Sequence, residues 1–178
     1  MQDNAYLKCI DPYCGLEYDI SSTRIECDKG HLLDVKYKKI PSRALKELFY
    51  NRRNPQNNIF NESGVWRFRE LLNFCQIDTG NTEECSKYLV SLDGAEGRQS
   101  KPYQMSKAAE FIGISNDKLW LQPEGYNPSG SFKDNGMASA VTHAKMVGAK
   151  KIVCASTGNT SASAGMFAAN EGIHCDVY

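Results

Sequence analysis

Missing from this chain is any apolar run approaching the ~18 residues of a membrane span, and Met1-Gln-Asp-Asn-Ala5 lacks the basic-then-apolar start of a secretion signal. A spanning helix and export are therefore not expected, and the cytoplasm is the expected compartment. Net charge is missing too. Lys plus Arg and Asp plus Glu each total 21, which removes the electrostatic case for nucleic acid or for an anionic membrane as partner. Histidine is scarce: three scattered residues do not make a catalytic cluster. An even cysteine count is absent as well. Seven thiols in a reducing compartment argue for free cysteines or metal ligands over a disulfide frame, and Cys154 and Cys175, inside strand-like runs, are read as core packing. What remains is a chain of 178 residues, long enough for one ordinary domain with a real core.

Two turns organise it. Asn127-Pro-Ser-Gly-Ser-Phe-Lys133-Asp-Asn-Gly-Met137 and Ser156-Thr-Gly-Asn159-Thr-Ser161 each join a strand-like run to a helical pattern through Gly, Ser and Asn. Each leaves free backbone N–H groups at a helix N-terminus, a position that binds anions. Lys133 and Ser156 stand 23 residues apart, about one crossover helix plus a short strand. Both turns are then expected at the carboxyl ends of parallel strands, lining one pocket. Lys133, beside apolar Phe132 and after small residues, can shed solvent and attack an aldehyde as a neutral amine; the plain alternative is a solvated surface lysine.

The residues Asn-Pro-Ser-Gly-Ser-Phe-Lys-Asp-Asn-Gly-Met, followed by Ser-Thr-Gly-Asn-Thr-Ser-Ala-Ser at this distance, resemble the cofactor-lysine motif and the following Asn motif of threonine synthases. These are pyridoxal-phosphate enzymes of the tryptophan-synthase-β fold group. The resemblance runs from about Gly64 to the end. It implies that Lys133 holds pyridoxal 5'-phosphate and then moves protons, that Asn159 bonds the ring's 3-oxygen, and that Ser156, Thr157 and Thr160 hold the substrate's carboxylate or phosphate; simple helix capping is the other role open to those three hydroxyls. The implied reaction converts O-phospho-L-homoserine and water to threonine and phosphate, a carbon-oxygen lyase chemistry, in a possible homodimer. Other fold type II pyridoxal-phosphate enzymes (cysteate synthase, cysteine synthase, threonine dehydratase) and a non-catalytic anion-binding remnant are the competing readings.

Ahead of this lies a different pattern. Cys9-x4-Cys14 and Cys27-x3-His31 flank strand-like runs, Leu33 to Tyr37 alternating in strand fashion. Four soft ligands, Cys9, Cys14, Cys27 and His31, can close a tetrahedral structural zinc site; a ribbon held by packing alone is the alternative. The first pair is wider than the usual Cys-x-x-Cys knuckle, and Gly30 stands where the second expects cysteine. Some threonine synthases carry such a ribbon ahead of the enzyme domain, with four cysteines where this chain departs at both knuckles.

The remaining segments read simply. Pro41-Ser42 starts a helix capped by Ser42, with Leu45, Leu48 and Phe49 on one side; 51–58 is a loop or linker without apolar periodicity. Ser63 to Leu72 carries Val65, Trp66, Phe68, Leu71 and Leu72, a packing segment with Arg67 and Arg69 as possible anion contacts, and it resembles a Gly-Val-Trp-Arg run of the family. Asp93 to Arg98 stands where the family has a Gly-Glu-Gly loop, but Gln99-Ser-Lys-Pro-Tyr103 departs from the Thr-Pro-Leu turn that succeeds that loop in the family. Lys101–Ile112 is expected as a helix packing through Met105, Ala108, Ala109 and Ile112, stopped by Gly113. Lys118–Gln122, Lys150–Ala155 and Ile173–Tyr178 are expected as parallel strands, the second of the fully buried kind. Between them run a helix marked by Met137, Val141, Ala144 and Val147 and ended by Gly148, and one packing through Ala162, Gly165, Met166 and Ala169. The expected fold is α/β: an open parallel three-layer sheet, the front part of a fold type II enzyme, preceded by a small zinc-ribbon-like β element. Its division is a ribbon over 1–40, a connecting segment over 41–90 and the first part of the cofactor domain over 91–178. Since a sequence that stops in a parallel strand leaves an open edge, the chain is expected to be the front of a longer protein, without turnover on its own.

Overall fold

Alternation shapes the first strands. Ala5, Leu7 and Cys9 are buried while Tyr6 and Lys8 are only half-covered, so Ala5–Cys9 (β1) forms the middle of a three-stranded antiparallel sheet between Glu17–Asp19 (β2) and Leu33–Tyr37 (β3). The structure, a computed structural model, describes residues 5–38, 43–54, 58–72, 87–97 and 102–178. In β1–β3 the register pairs Leu7 with both Tyr18 and Val35, and a small cluster of Ala5, Leu7 and Ile20, with Tyr18 and Leu33 against it, lies beneath.

Helix Arg43–Asn51 (α1) follows; the start proposed at Pro41-Ser42 lies outside the described residues. Leu45 is buried and Phe49 meets Phe68 edge-on at 5.1 Å between ring centroids, while Leu48 is exposed rather than packed. Residues 52–54 form the turn expected of a loop, but Arg52 within it is buried and forms a two-pronged ion pair with buried Glu70, one prong at 2.6 Å, while also bonding the Arg67 carbonyl. A short helix, Ile59–Glu62 (α2), capped by the Asn58 side chain, was also missed, because one turn carries no periodicity. Arg67 and Arg69 spend their donors on Asn61, the Glu62 carbonyl and the Trp66 carbonyl.

The packing role of the segment after Ser63 is where the main core begins. A 3-10 helix, Trp66–Leu71, buries Trp66 completely, and its indole N–H donates to the Val90 carbonyl at 2.7 Å. Val90 N–H in turn donates to the Thr142 hydroxyl at 2.9 Å. Trp66, Leu89, Val90, Ala138, Val141 and Phe167 form one cluster.

The second half departs from expectation in pairing and agrees in element type. Tyr103–Gln104 (β4) and Trp120–Leu121 (β5) pair antiparallel, with Ser106–Phe111 (α3) between them. The strand before the lysine turn is therefore not parallel: β4 and β5 are exposed throughout, and parallel strands need covered faces. Helix α3 starts later than the proposed Lys101, which lies outside the described residues, as do 99 and 100. It buries Ala109, leaves Ile112 exposed, and stops at Gly113, whose φ of +76° suits a helix stop. Helix Lys133–Met146 (α4) ends ahead of Gly148, φ +71°.

Lys151–Cys154 (β6) and His174–Val177 (β7) are parallel, joined by helix Asn159–Asn170 (α5). The expected three-stranded parallel layer is thus two strands among the described residues. Nor is β6 fully buried: Ile152 and Cys154 are half-covered on the α5 side, and Val153 is exposed. Helix α5 turns a different face inward than expected. Ser163, Ala164, Phe167 and Ala168 are buried, whereas Ala162, Met166 and Ala169 are exposed.

Candidate active site

The loop into α4 is held by side chains that replace the backbone pairing a strand would supply. Gly130, at φ +77°, closes a turn by donating to the Asn127 carbonyl at 2.7 Å. Buried Asn127 accepts from Gly97 N–H at 2.7 Å and donates to Glu124 at 2.9 Å and to the Ser131 carbonyl at 3.0 Å. Asn135 donates to the same Glu124 oxygen at 3.0 Å. The Ser131 hydroxyl then accepts from Lys133 N–H at 3.2 Å, opening the helix there. Lys133 is half-buried, its Nζ 4.6 Å from the centre of the Phe132 ring.

The loop into α5 is simpler. The Ser156 hydroxyl accepts from Gly158 N–H at 3.3 Å and the Ser161 hydroxyl donates to the Gly158 carbonyl at 2.7 Å. Ser156 therefore shapes the turn before the helix and keeps its own proton to donate. Asn159 and Thr160 occupy the first turn, where backbone N–H groups precede the helix's own bonds. Thr157 and Asn159 are exposed; Ser156 and Thr160 are half-buried.

One hydrogen bond ties the two loops together. The buried Ser163 hydroxyl donates to buried Asp134 at 2.6 Å. Asp134 directly follows Lys133, and Ser163 lies one helical turn after Asn159, on the same face. The stretches carrying Lys133 and Asn159 are thus neighbouring N-termini of two packed helices. Lys133 opens α4 and Asn159 opens α5, and first-turn N–H groups of this kind suit an anionic ligand. Asp134, Ser163, Asn127, Glu124 and Glu96 were missed as site-building residues. Glu96, fully buried, accepts from the Ser91 hydroxyl at 2.7 Å and Leu92 N–H at 3.0 Å, and its carbonyl accepts from Gly64 N–H. The available signal was the acidic Asp134 in a helix's first turn.

The second cluster is far simpler to locate in sequence. The ligand atoms of Cys9, Cys14, Cys27 and His31 all lie within 4.8 Å of one another. Cys9 ends β1, opposite Leu33, rather than sitting in a turn. Cys27 N–H donates to the His31 carbonyl at 2.8 Å and Gly30 N–H to the Cys27 carbonyl at 2.9 Å, Gly30 taking φ +77°. Burial pushes the Cys9 thiol up to about 11. At Cys27 burial acts the same way, but donation from the Lys29 and His31 backbone N–H groups and from the Cys9 and Cys14 thiols outweighs it and leaves the thiol below its ordinary value.

Residues 101–178 match the family of pyridoxal-phosphate dependent enzymes. The chain is similar to the threonine synthase of Methanocaldococcus jannaschii, 33% identical over 172 residues that cover 96% of this chain and 36% of that protein. It is 35% identical to the threonine synthase of Methanosarcina acetivorans over 173 residues, 94% of this chain and 35% of that protein. A threonine synthase of Mycobacterium leprae is 60% identical over 59 residues, 33% of this chain and 16% of that protein. The chain spans about a third of the length of the first two relatives.

Proposed function

We infer that this chain, whose residues 101–178 match the family of pyridoxal-phosphate dependent enzymes, carries the lysine-bearing part of a threonine synthase. The observation that supports this reading is the Ser163–Asp134 bond, which ties the first turn of α4 to α5. Lys133 is the residue that holds the cofactor, through its amine. Bound there, pyridoxal phosphate supplies an electron sink for charge developed at the substrate's Cα. Lys133 Nζ would also move protons at the substrate Cα and Cβ. The Asn159 carboxamide donates to the ring's 3-oxygen and orients the ring. Ser156, Thr157, Thr160 and the first-turn N–H groups of α5 hold the substrate's carboxylate or phosphate. The substrate is O-phospho-L-homoserine, from which phosphate leaves and to which water adds, in the cytoplasm and in a homodimer.

The test is covalent. Incubation with pyridoxal phosphate, borohydride reduction and peptide mass spectrometry are expected to find the label on Lys133, and Lys133→Ala to abolish it. A label spread over surface lysines would sink the assignment. For the substrate, the full gene product is assayed for phosphate release from O-phosphohomoserine, sulfide consumption and ketoacid formation; phosphate release with threonine formed is expected.

A further inference from the structure

We propose that Cys9, Cys14, Cys27 and His31 bind one zinc ion, and that this ion, more than the apolar packing, makes β1–β3 fold. All four ligand atoms lie within 4.8 Å of one another, and two of the distances between them match the edges of a tetrahedron around zinc. With Zn–S of about 2.3 Å and Zn–N of about 2.05 Å, tetrahedral edges come to about 3.8 Å between two sulfurs and about 3.6 Å between sulfur and nitrogen. Cys14 Sγ stands 3.9 Å from Cys27 Sγ, and Cys9 Sγ 3.5 Å from His31 Nδ1. A disulfide needs sulfurs about 2.05 Å apart, so the Cys14–Cys27 pair is set for a shared ion.

The local backbone is built for the same purpose. Gly15 and Gly30, at φ +68° and +77°, follow Cys14 closely and precede His31, and each lets the chain turn back so that ligands from separate loops face inward. A sulfur-rich tetrahedron selects zinc over hard cations. Asp11 stays outside the ligand set: one of its oxygens is 3.6 Å from His31 Nδ1, while the other accepts from Tyr13 N–H at 2.8 Å. Binding converts three thiols to thiolates and releases three protons, leaving His31 neutral.

The folding claim follows from how little else holds the sheet. Its buried apolar cluster is Ala5, Leu7 and Ile20, below what an element of this size needs without a staple. Between the sheet and α4 lies a cleft of about 670 Å³ bordered by Leu7, Ile25, Val35, Ala140 and His143. A gap of that size supplies no packing.

The purified 178-residue chain is analysed for metals, stripped with a chelator and refilled with cobalt(II). One zinc per chain is expected, and the cobalt form should show the intense visible bands of a tetrahedral centre with sulfur-to-metal charge transfer. Cys14→Ser and Cys27→Ser should weaken binding by more than the roughly 100-fold of an outer-shell loss. His31→Cys should keep the centre with a stronger charge-transfer band, and Asp11→Asn and the double variant Cys154→Ser, Cys175→Ser should leave it unchanged. Absence of stoichiometric metal, stoichiometric iron, or cobalt bands that depend on Cys154 and Cys175 overturns the site. Hydrogen exchange of the β1–β3 amides should rise to unprotected rates in the stripped chain; protection that persists overturns the folding claim.

Discussion

Asp134 is fully buried and accepts three hydrogen bonds, from Ser129 N–H at 2.7 Å, the Ser129 hydroxyl at 2.5 Å and the Ser163 hydroxyl at 2.6 Å. A carboxylate out of water is tolerated only when its oxygens are satisfied in this way. Its neighbour in sequence is Lys133, so its burial falls at the place where two loops must hold one geometry. Asp134→Asn puts an amide donor against donors and is expected to destabilise the chain by about 2–3 kcal/mol. Ser163→Ala removes one bond and leaves the two from Ser129, and is expected to cost about 1 kcal/mol. Urea unfolding of the two variants checks the order; equal losses would mean that the tie between α4 and α5 carries the whole effect.

Between elements, one close approach is backbone on backbone. A Cβ placed on Gly64 would lie 1.7 Å from the Gly97 carbonyl oxygen, and Gly97 itself sits at φ +60°. That contact presses the segment ahead of Trp66 onto the loop whose Gly97 N–H holds Asn127, and through Asn127 the lysine turn. Gly64→Ala must push the two loops apart and is expected to cost about 3 kcal/mol, seen as a lower urea midpoint with an unchanged slope. Gly158→Ala is the contrast. Nothing lies within 4 Å of its missing Cβ and its φ of −134° suits any residue, so stability should move by no more than about 0.5 kcal/mol. A large loss there would show the α5 turn to be packed where it is open.

At the scale of the molecule the described residues form two cores, one under β1–β3 and one around Trp66, Val141 and Phe167. They share no buried residue. Chelation is therefore expected to leave the amides of α4 and α5 as protected as before; a rise in their exchange on metal removal would mean that the two cores fold as one. The parallel pair β6–β7 is covered by α5 on one face, and Val153 and Val177 are exposed on the strands. Among the described residues no helix is long and apolar enough to cross a membrane, which agrees with the missing apolar runs.

What the residues determined by themselves is local. The opening of α4 at Lys133, the glycine stops at Gly113 and Gly148, the strands β3, β6 and β7, and the Cys9, Cys14, Cys27 and His31 set were all legible, because each depends on neighbours a few positions away or on a rare side chain. The tertiary structure decided what depends on a distant partner. Helix α5 is so poor in large side chains that its pattern names no face, and contact with α4 selected Ser163 and Phe167 over Met166. The antiparallel pairing of β5 and the buried Arg52–Glu70 pair arose in the same way. A charged residue reads as surface until a counter-charge from another segment satisfies it out of water, and no stretch of the chain taken alone contains that information.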